Sequence, residues 1–200
     1  MLSTLPRGEG QAVLIVPGFS TGPRSIEPLR AALCALGYHA VDWGAGRNLG
    51  MSAALKNQLA ESLRALHATH GPVSLIGWSL GGVFVREMAR HQPQLVRRVI
   101  TLGSPINGHP DANNMVLLFR LATRGQTVKT DLEGFARRIT PPPVPCTAIH
   151  SRRDGIVAWQ ASLEDPAPNT ENLEVGGSHF GLPCNLQVLR LIAERLARAS

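Results

Sequence analysis

Long apolar runs, acidic charge, lysine and aromatic rings are all scarce in this chain, and each shortage removes a class of function. No stretch of eighteen apolar residues occurs, which excludes a membrane-spanning helix and points to a globular, soluble protein. The opening residues Met1 to Gly8 carry no basic segment followed by an apolar core, so no secretory signal is read and a cytoplasmic location is expected. Acidic residues number 14 against 20 lysines and arginines, for a net charge of +6, and Lys56 and Lys129 are the only lysines. Arginine-rich surfaces attract phosphates. Here the longest runs are pairs (Arg97-Arg98, Arg137-Arg138, Arg152-Arg153), and the aromatic residues, 4% of the chain, do not interleave with them. No nucleic-acid partner is therefore expected.

Three cysteines, Cys34, Cys146 and Cys184, form an odd set at no metal-ligand spacing. They read as free thiols, with a Cys146 to Cys184 bridge left open. No two histidines stand at the i, i+4 spacing of a zinc helix, so neither a metal nor a cofactor is expected. The glycine-rich stretch 44–50 lacks both the G-K-[ST] ending and the G-x-G-x-x-G pattern, so it is not read as a phosphate cradle. Internal repeats and low-complexity tracts are absent.

What is present is an alternation of apolar runs and amphipathic segments over 200 residues with 44% apolar content, enough for the core of one domain. Strands are expected at 12–16, 38–43, 73–76, 96–102, 146–150 and 172–175. Helices are expected at 25–36, with Leu29, Leu33 and Leu36 on one face, and after Ser52, with Leu55, Leu59, Leu63 and Leu66 as a core-facing stripe. Two more follow, at 83–90 and at 186–197, the latter turning Leu186, Leu189, Ile192 and Leu196 inward. Residues 107–143 break the rhythm around one apolar patch, Met115 to Phe119, and read as a short cap or lid insertion rather than a second domain. The alternation predicts an α/β fold: a mainly parallel, doubly wound sheet of six strands with helices on both faces.

The most informative stretch is Gly77-Trp78-Ser79-Leu80-Gly81, a G-x-S-x-G between an apolar strand and a helix. A strand that reverses directly into a helix strains the turn residue, and glycines at 77 and 81 remove the β-carbons that would collide. This nucleophile elbow raises the Ser79 hydroxyl above the sheet and turns the Leu80 amide toward an oxyanion forming beside it. A hydroxyl nucleophile needs a base within reach, and an imidazole base needs a carboxylate to fix its tautomer. On a parallel sheet such groups gather at the carboxyl ends of the strands. Phe19, Ser79, Asp154 and His179 follow the first, third, fifth and sixth strands, in the order Ser, Asp, His expected of such a sheet. Asp111, after the fourth strand, is the rival acid, with Asp165 and Glu174 less well placed. His109 is the rival histidine, because His67, His70 and His91 fall at helix ends and His39 and His150 fall within strands.

With these motifs in order the chain resembles the α/β-hydrolase superfamily, and within it the compact lipase and esterase branch. The likeness runs from Val13 to Leu196. It rests on Leu14 to Phe19 as oxyanion strand and loop, Gly77 to Gly82 as elbow, Thr101 to Pro105 as the strand entering a lid, Ser151 to Val157 as acid loop and Gly177 to Leu182 as histidine loop. The resemblance implies a minimal α/β-hydrolase fold and a serine carboxylic-ester hydrolase working through an acyl-enzyme on Ser79, with His179 as base and Asp154 as its orienter. The amides of Phe19 and Leu80 would form the oxyanion hole. A small-molecule ester of short to medium acyl length is the implied substrate, with Trp78, Phe119, Trp159 and Phe180 as candidate contacts. Arg47 and Asn48 are candidate braces of the oxyanion loop. The same motifs also fit an acyltransferase or perhydrolase, or a catalytically silent ligand-binding protein. Three departures stand out: Pro17-Gly18 in place of the common His-Gly, no room for the family's first two antiparallel strands, and Ile106-Asn107-Gly108 where lipases often place a histidine.

Overall fold

The computed structural model describes residues 2–107 and 140–198. Its six strands are β1 (Ala12–Val16), β2 (His39–Asp42), β3 (Val73–Trp78), β4 (Val96–Leu102), β5 (Cys146–His150) and β6 (Thr170–Glu174). They form one sheet in the order β2-β1-β3-β4-β5-β6, parallel at every pairing. The order reverses between β1 and β3, which is where open α/β sheets of this kind open a crevice beyond the strand ends.

Strands β1, β3 and β5 are buried along their whole length, as expected of a sheet covered on both faces. One face packs on α1 (Pro23–Ala35) and the other on α2 (Ala53–His70) and α3 (Leu80–His91), while α4 (Leu186–Leu196) joins α1. Alternation along β1 makes the division visible. Val13 and Ile15 join the cluster holding Ile26, Leu29 and Leu33 of α1, while Leu14 and Val16 join the cluster holding Leu59 and Leu63 of α2. Each fully buried Leu or Ile contributes on the order of 1.5–3 kcal/mol of transfer free energy.

Local chemistry sets the element ends. Pro23, whose ring favours the first helical position, opens α1 two residues earlier than the sequence periodicity suggests. Ser52 caps α2 by accepting from the Leu55 amide at 3.1 Å. Asn185 caps α4 through the Gln187 amide at 2.8 Å. The expected inward stripe of α4 needs one correction: Leu186 is 57% exposed, and Val188 and Ala193 are buried instead. Ile192 lies six positions after Leu186, which at about 100° per residue puts Leu186 some 120° off the core-facing stripe. Leu55 and Leu66 of α2 are half-buried at the margin of their cluster.

The cysteines are free, and burial pushes the Cys146 thiol up to about 12. A buried ion pair joins Arg86 of α3 to Glu164, whose carboxyl burial raises above the ordinary value against the attraction of that guanidinium. Arg86 also donates to the carbonyl of Thr140 at 3.2 Å, so α3 holds the point where the described chain resumes. The expected insertion around Met115 to Phe119, with Phe119, His109 and Asp111, lies outside the described residues. Among the described residues no helix is long and apolar enough to cross a membrane.

Candidate active site

Only Ser79 separates β3 from α3. The strand runs two residues further than the apolar run suggests and the helix starts three residues sooner, because the reversal happens within a single residue. Ser79 sits at φ 53° and ψ −124°, and with Ser20 it is one of two described non-glycine residues at positive φ. Such a conformation costs on the order of 1–3 kcal/mol and persists only where its surroundings impose it. The surroundings are backbone in close approach. A β-carbon on Gly77 would collide with the carbonyl of Gly81 and the main chain of Gly82, and one on Gly81 with the carbonyl of Val16. One on Gly82 would run into the Ser104 side chain. The turn is pinned by the Ser79 amide donating to the Leu102 carbonyl at 2.9 Å. Leu80, the first residue of α3, carries an amide that the helix's own ladder leaves without an acceptor.

Beside the elbow, the loop after β1 passes close. A β-carbon on Gly18 would stand 3.2 Å from Ser79 Cβ and 3.3 Å from the Trp78 ring. Asn48 is fully buried with every polar group engaged, three of them on this loop. Its side-chain amide donates to the Pro17 carbonyl at 2.8 Å and its Oδ1 accepts from the Gly50 amide at 3.1 Å. Its main chain exchanges 2.7 Å hydrogen bonds with Ser20 and Thr21. Arg47 adds a bond from Nε to the Ser20 carbonyl at 2.9 Å. Phe19 lies between these ties, half-buried against the cluster under α2 and α3.

At the other end of the same sheet edge, β5 leads into Ser151 to Val157 and β6 into Val175 to Cys184. Asp154 Oδ2 lies 2.6 Å from His179 Nδ1, with both side chains buried. Its Oδ1 accepts from the amides of Ile156 and Val157, each at 2.9 Å, so the Asp-Gly turn and the bond to histidine are made by one carboxylate. Ser151 Oγ donates to the Gly177 carbonyl at 2.7 Å and accepts from the Arg153 amide at 3.1 Å, tying the two loops together. Asn185 donates to the Gly176 carbonyl at 2.7 Å. Next to the acid loop, the His150 imidazole stacks on Trp159 with centroids 5.9 Å apart, and Arg152 lies 4.5 Å over the same indole. Burial holds the His150 imidazole below its ordinary value, and its Nδ1 is buried with no partner among the described residues.

The four candidates Phe19, Ser79, Asp154 and His179 thus stand at the carboxyl ends of β1, β3, β5 and β6. Of the rival acids, Asp165 accepts from Asn107 at 3.0 Å and Glu174 pairs with Arg152. Of the candidate substrate contacts, Phe180 is 66% exposed beside His179, and Trp159 is half-buried between His150 and Arg152. Trp78 is 3% exposed and packs on His179 and Phe180. Sequence reasoning missed Gly103. It sits at φ 52° at the end of β4, where a β-carbon would stand 2.8 Å from Asp154 Oδ2 and 3.2 Å from His179 Nδ1. The signal was available only as a glycine directly after a buried strand. Among the described residues no group of three or more His, Cys, Asp or Glu side chains could hold a metal ion.

A six-stranded parallel sheet, wound on both faces, with a strained serine in a one-residue strand-to-helix reversal, defines the α/β-hydrolase fold. The sequence profile of the alpha/beta hydrolase family matches residues 13–194, and the chain belongs to that family. Solved structures agree on the fold. A lipase-esterase related protein from Clostridium acetobutylicum superposes with a TM-score of 0.65 at 17% identity, covering 96% of both chains. The monoacylglycerol lipase of Paleococcus ferrophilus gives 0.66 at 15% identity, again covering 96% of each. An alpha-beta serine hydrolase homologue from Coxiella burnetii gives 0.65 at 20% identity, covering 97% of this chain and 89% of that one. No curated protein sequence matches the chain.

Proposed function

We propose that this protein is a serine hydrolase of carboxylic esters. The observation that carries the reading is the buried 2.6 Å contact of Asp154 with His179 on the same sheet edge as Ser79 in its strained elbow. In this reading His179 Nε2 takes the Ser79 proton as Oγ attacks the ester carbonyl carbon, and the amides of Phe19 and Leu80 hold the oxyanion. The C–O bond to the alcohol then breaks, the alcohol leaves with the proton from His179, and the acyl group stays on Ser79. Water, deprotonated by His179, attacks the acyl-enzyme and releases the carboxylic acid and the free serine. Asp154 keeps Nδ1 protonated and Nε2 available, and it stabilises the imidazolium that forms in each half. The lipase-esterase related protein and the monoacylglycerol lipase among the superposed structures favour esters within the hydrolase class.

The test is turnover of p-nitrophenyl esters with acyl chains from about two to sixteen carbons, a series that also sets the acyl preference. The reading expects hydrolysis of at least the shorter esters, saturable in substrate. It expects Ser79→Ala to lose on the order of a million-fold in kcat with the melting curve unchanged. More than a few per cent of activity left in that variant would overturn the assignment. Adding a competing alcohol separates hydrolysis from acyl transfer, since a transferase would yield the new ester in preference to the acid.

A further inference from the structure

Trp78, immediately before the elbow serine, makes contacts that the roles proposed above do not use. It is 3% exposed, and its indole Nε1–H donates to the main-chain carbonyl of His179 at 3.2 Å across 101 residues of chain. Its ring lies 5.6 Å from the imidazole at an interplanar angle of 37°, and the Phe180 ring meets it edge-on at 5.9 Å. A buried indole N–H must find an acceptor. The acceptor found here belongs to the one residue whose side chain has to reach the neighbouring serine.

The geometry of proton transfer makes that choice matter. A base must come within about 2.6–3.2 Å of the hydroxyl it deprotonates. Asp154 fixes the imidazole at Nδ1 alone, and a ring held by one hydrogen bond still swings with the backbone that carries it. That backbone belongs to a short 3-10 turn, His179–Cys184, rather than to a strand. Trp78 is the last residue of β3, a strand buried throughout and paired on both sides. We propose that Trp78 is a positioning residue: it ties the carbonyl of His179 to the strand that carries Ser79, so that base and nucleophile move as one body. This inference rests on the proposed roles of Ser79 and His179 and uses ester turnover for its kinetic readout.

The test replaces the donor and keeps the bulk. Trp78→Phe retains an aromatic ring but no N–H, and losing one hydrogen bond's worth of positioning is expected to lower kcat about tenfold with KM changed less than about twofold. The melting temperature should fall by only a few degrees. In the substrate-free protein, the far-downfield proton NMR resonance of His179 Nδ1–H against Asp154 should broaden or vanish, because a loosened ring exchanges that proton with water. Unchanged kcat in a folded variant, or an unchanged resonance, would overturn the proposal and leave Trp78 a packing residue. If Trp78→Phe does not fold, benzothienylalanine at position 78 keeps the indole's shape and loses only the N–H, and the same readouts decide. A wild-type protein that hydrolyses no ester would defeat the ester reading, while the resonance comparison would still decide the role of Trp78.

Discussion

The two halves of the candidate site are held by different physics. Around β1 and β3 the serine and its neighbouring loop are fixed by backbone in close approach: Gly77 and Gly81 against main-chain atoms, with Asn48 stitching the loop after β1. Around β5 and β6 the acid and the histidine are fixed by side-chain hydrogen bonds between two irregular loops, through Asp154, Ser151 and Asn185. Sterically held geometry tolerates no added atom, whereas hydrogen-bonded geometry tolerates shape-preserving changes but not a change of donor or acceptor. Substitutions in the two halves should therefore fail in different ways.

Apart from removal of the nucleophile itself, the largest expected effect is chemical and lies in the hydrogen-bonded half. Asp154→Asn keeps the volume but offers His179 an amide that favours the wrong tautomer, so kcat should drop by up to about ten-thousand-fold while the melting curve stays put. Steady-state kinetics beside calorimetry reads both. A variant of Asp165 or Glu174 showing that loss instead would move the acid. In the steric half, Gly81→Ala should act on folding. Its β-carbon meets the carbonyls of Val16 and Pro17, and overpacking of that kind costs up to about 3 kcal/mol, or roughly 6–12 °C in Tm for a chain of this size. A stable but inactive Gly81→Ala protein would blur the comparison.

Asn48→Ala belongs to the steric half but removes hydrogen bonds. It leaves the Pro17 carbonyl buried without its donor, at a cost of about 1–3 kcal/mol. The loop carrying Phe19 should loosen and kcat should fall about tenfold, with Asn48→Asp, which also cannot donate there, no better than alanine.

The smallest effect concerns His150 under the acid loop. Burial lowers its folded value below the unfolded one of about 6.5, so the unfolded chain binds more protons in that window. Stability tied to His150 is intact above pH of about 6.5 and is lost as the pH falls from there through the lower folded value. His150→Phe keeps the stack on Trp159, and its Tm should decline less than wild type between about pH 7.5 and 5.5. Parallel declines would remove His150 from the acid sensitivity.

How far the sequence could be read follows the same division. The elbow was legible because steric exclusion acts between near neighbours: two glycines flanking a serine between an apolar run and a helix state their own reason. The ends of β1, β4 and β5 match the expected ranges residue for residue, whereas β3 runs two residues past its apolar run and β6 begins two residues before its expected start. The contact of Trp78 with the His179 carbonyl was not legible, because it joins residues 101 apart through an indole that reads equally well as core or pocket. Gly103 escaped for a similar reason: the atoms that forbid a β-carbon there belong to Asp154, His179 and Leu182, far along the chain. Leu186 was misassigned because leucine spacing at a helix start cannot tell the buried stripe from its flank. Asn48 could be found as a brace because it directly follows Arg47 in a loop at a strand's carboxyl end, although the number of its bonds could not.

The central claim is that Ser79 is a nucleophile activated by the Asp154–His179 pair, and covalent labelling tests it most directly. The protein is incubated with a fluorophosphonate and the adduct is located by peptide mass mapping in wild type and in Asp154→Asn. The account predicts one adduct per chain, on Ser79, forming far more slowly in Asp154→Asn because the serine's proton then has no properly oriented base. An adduct on Ser20 or Ser104, or labelling of Ser79 at the same rate in both proteins, would contradict it.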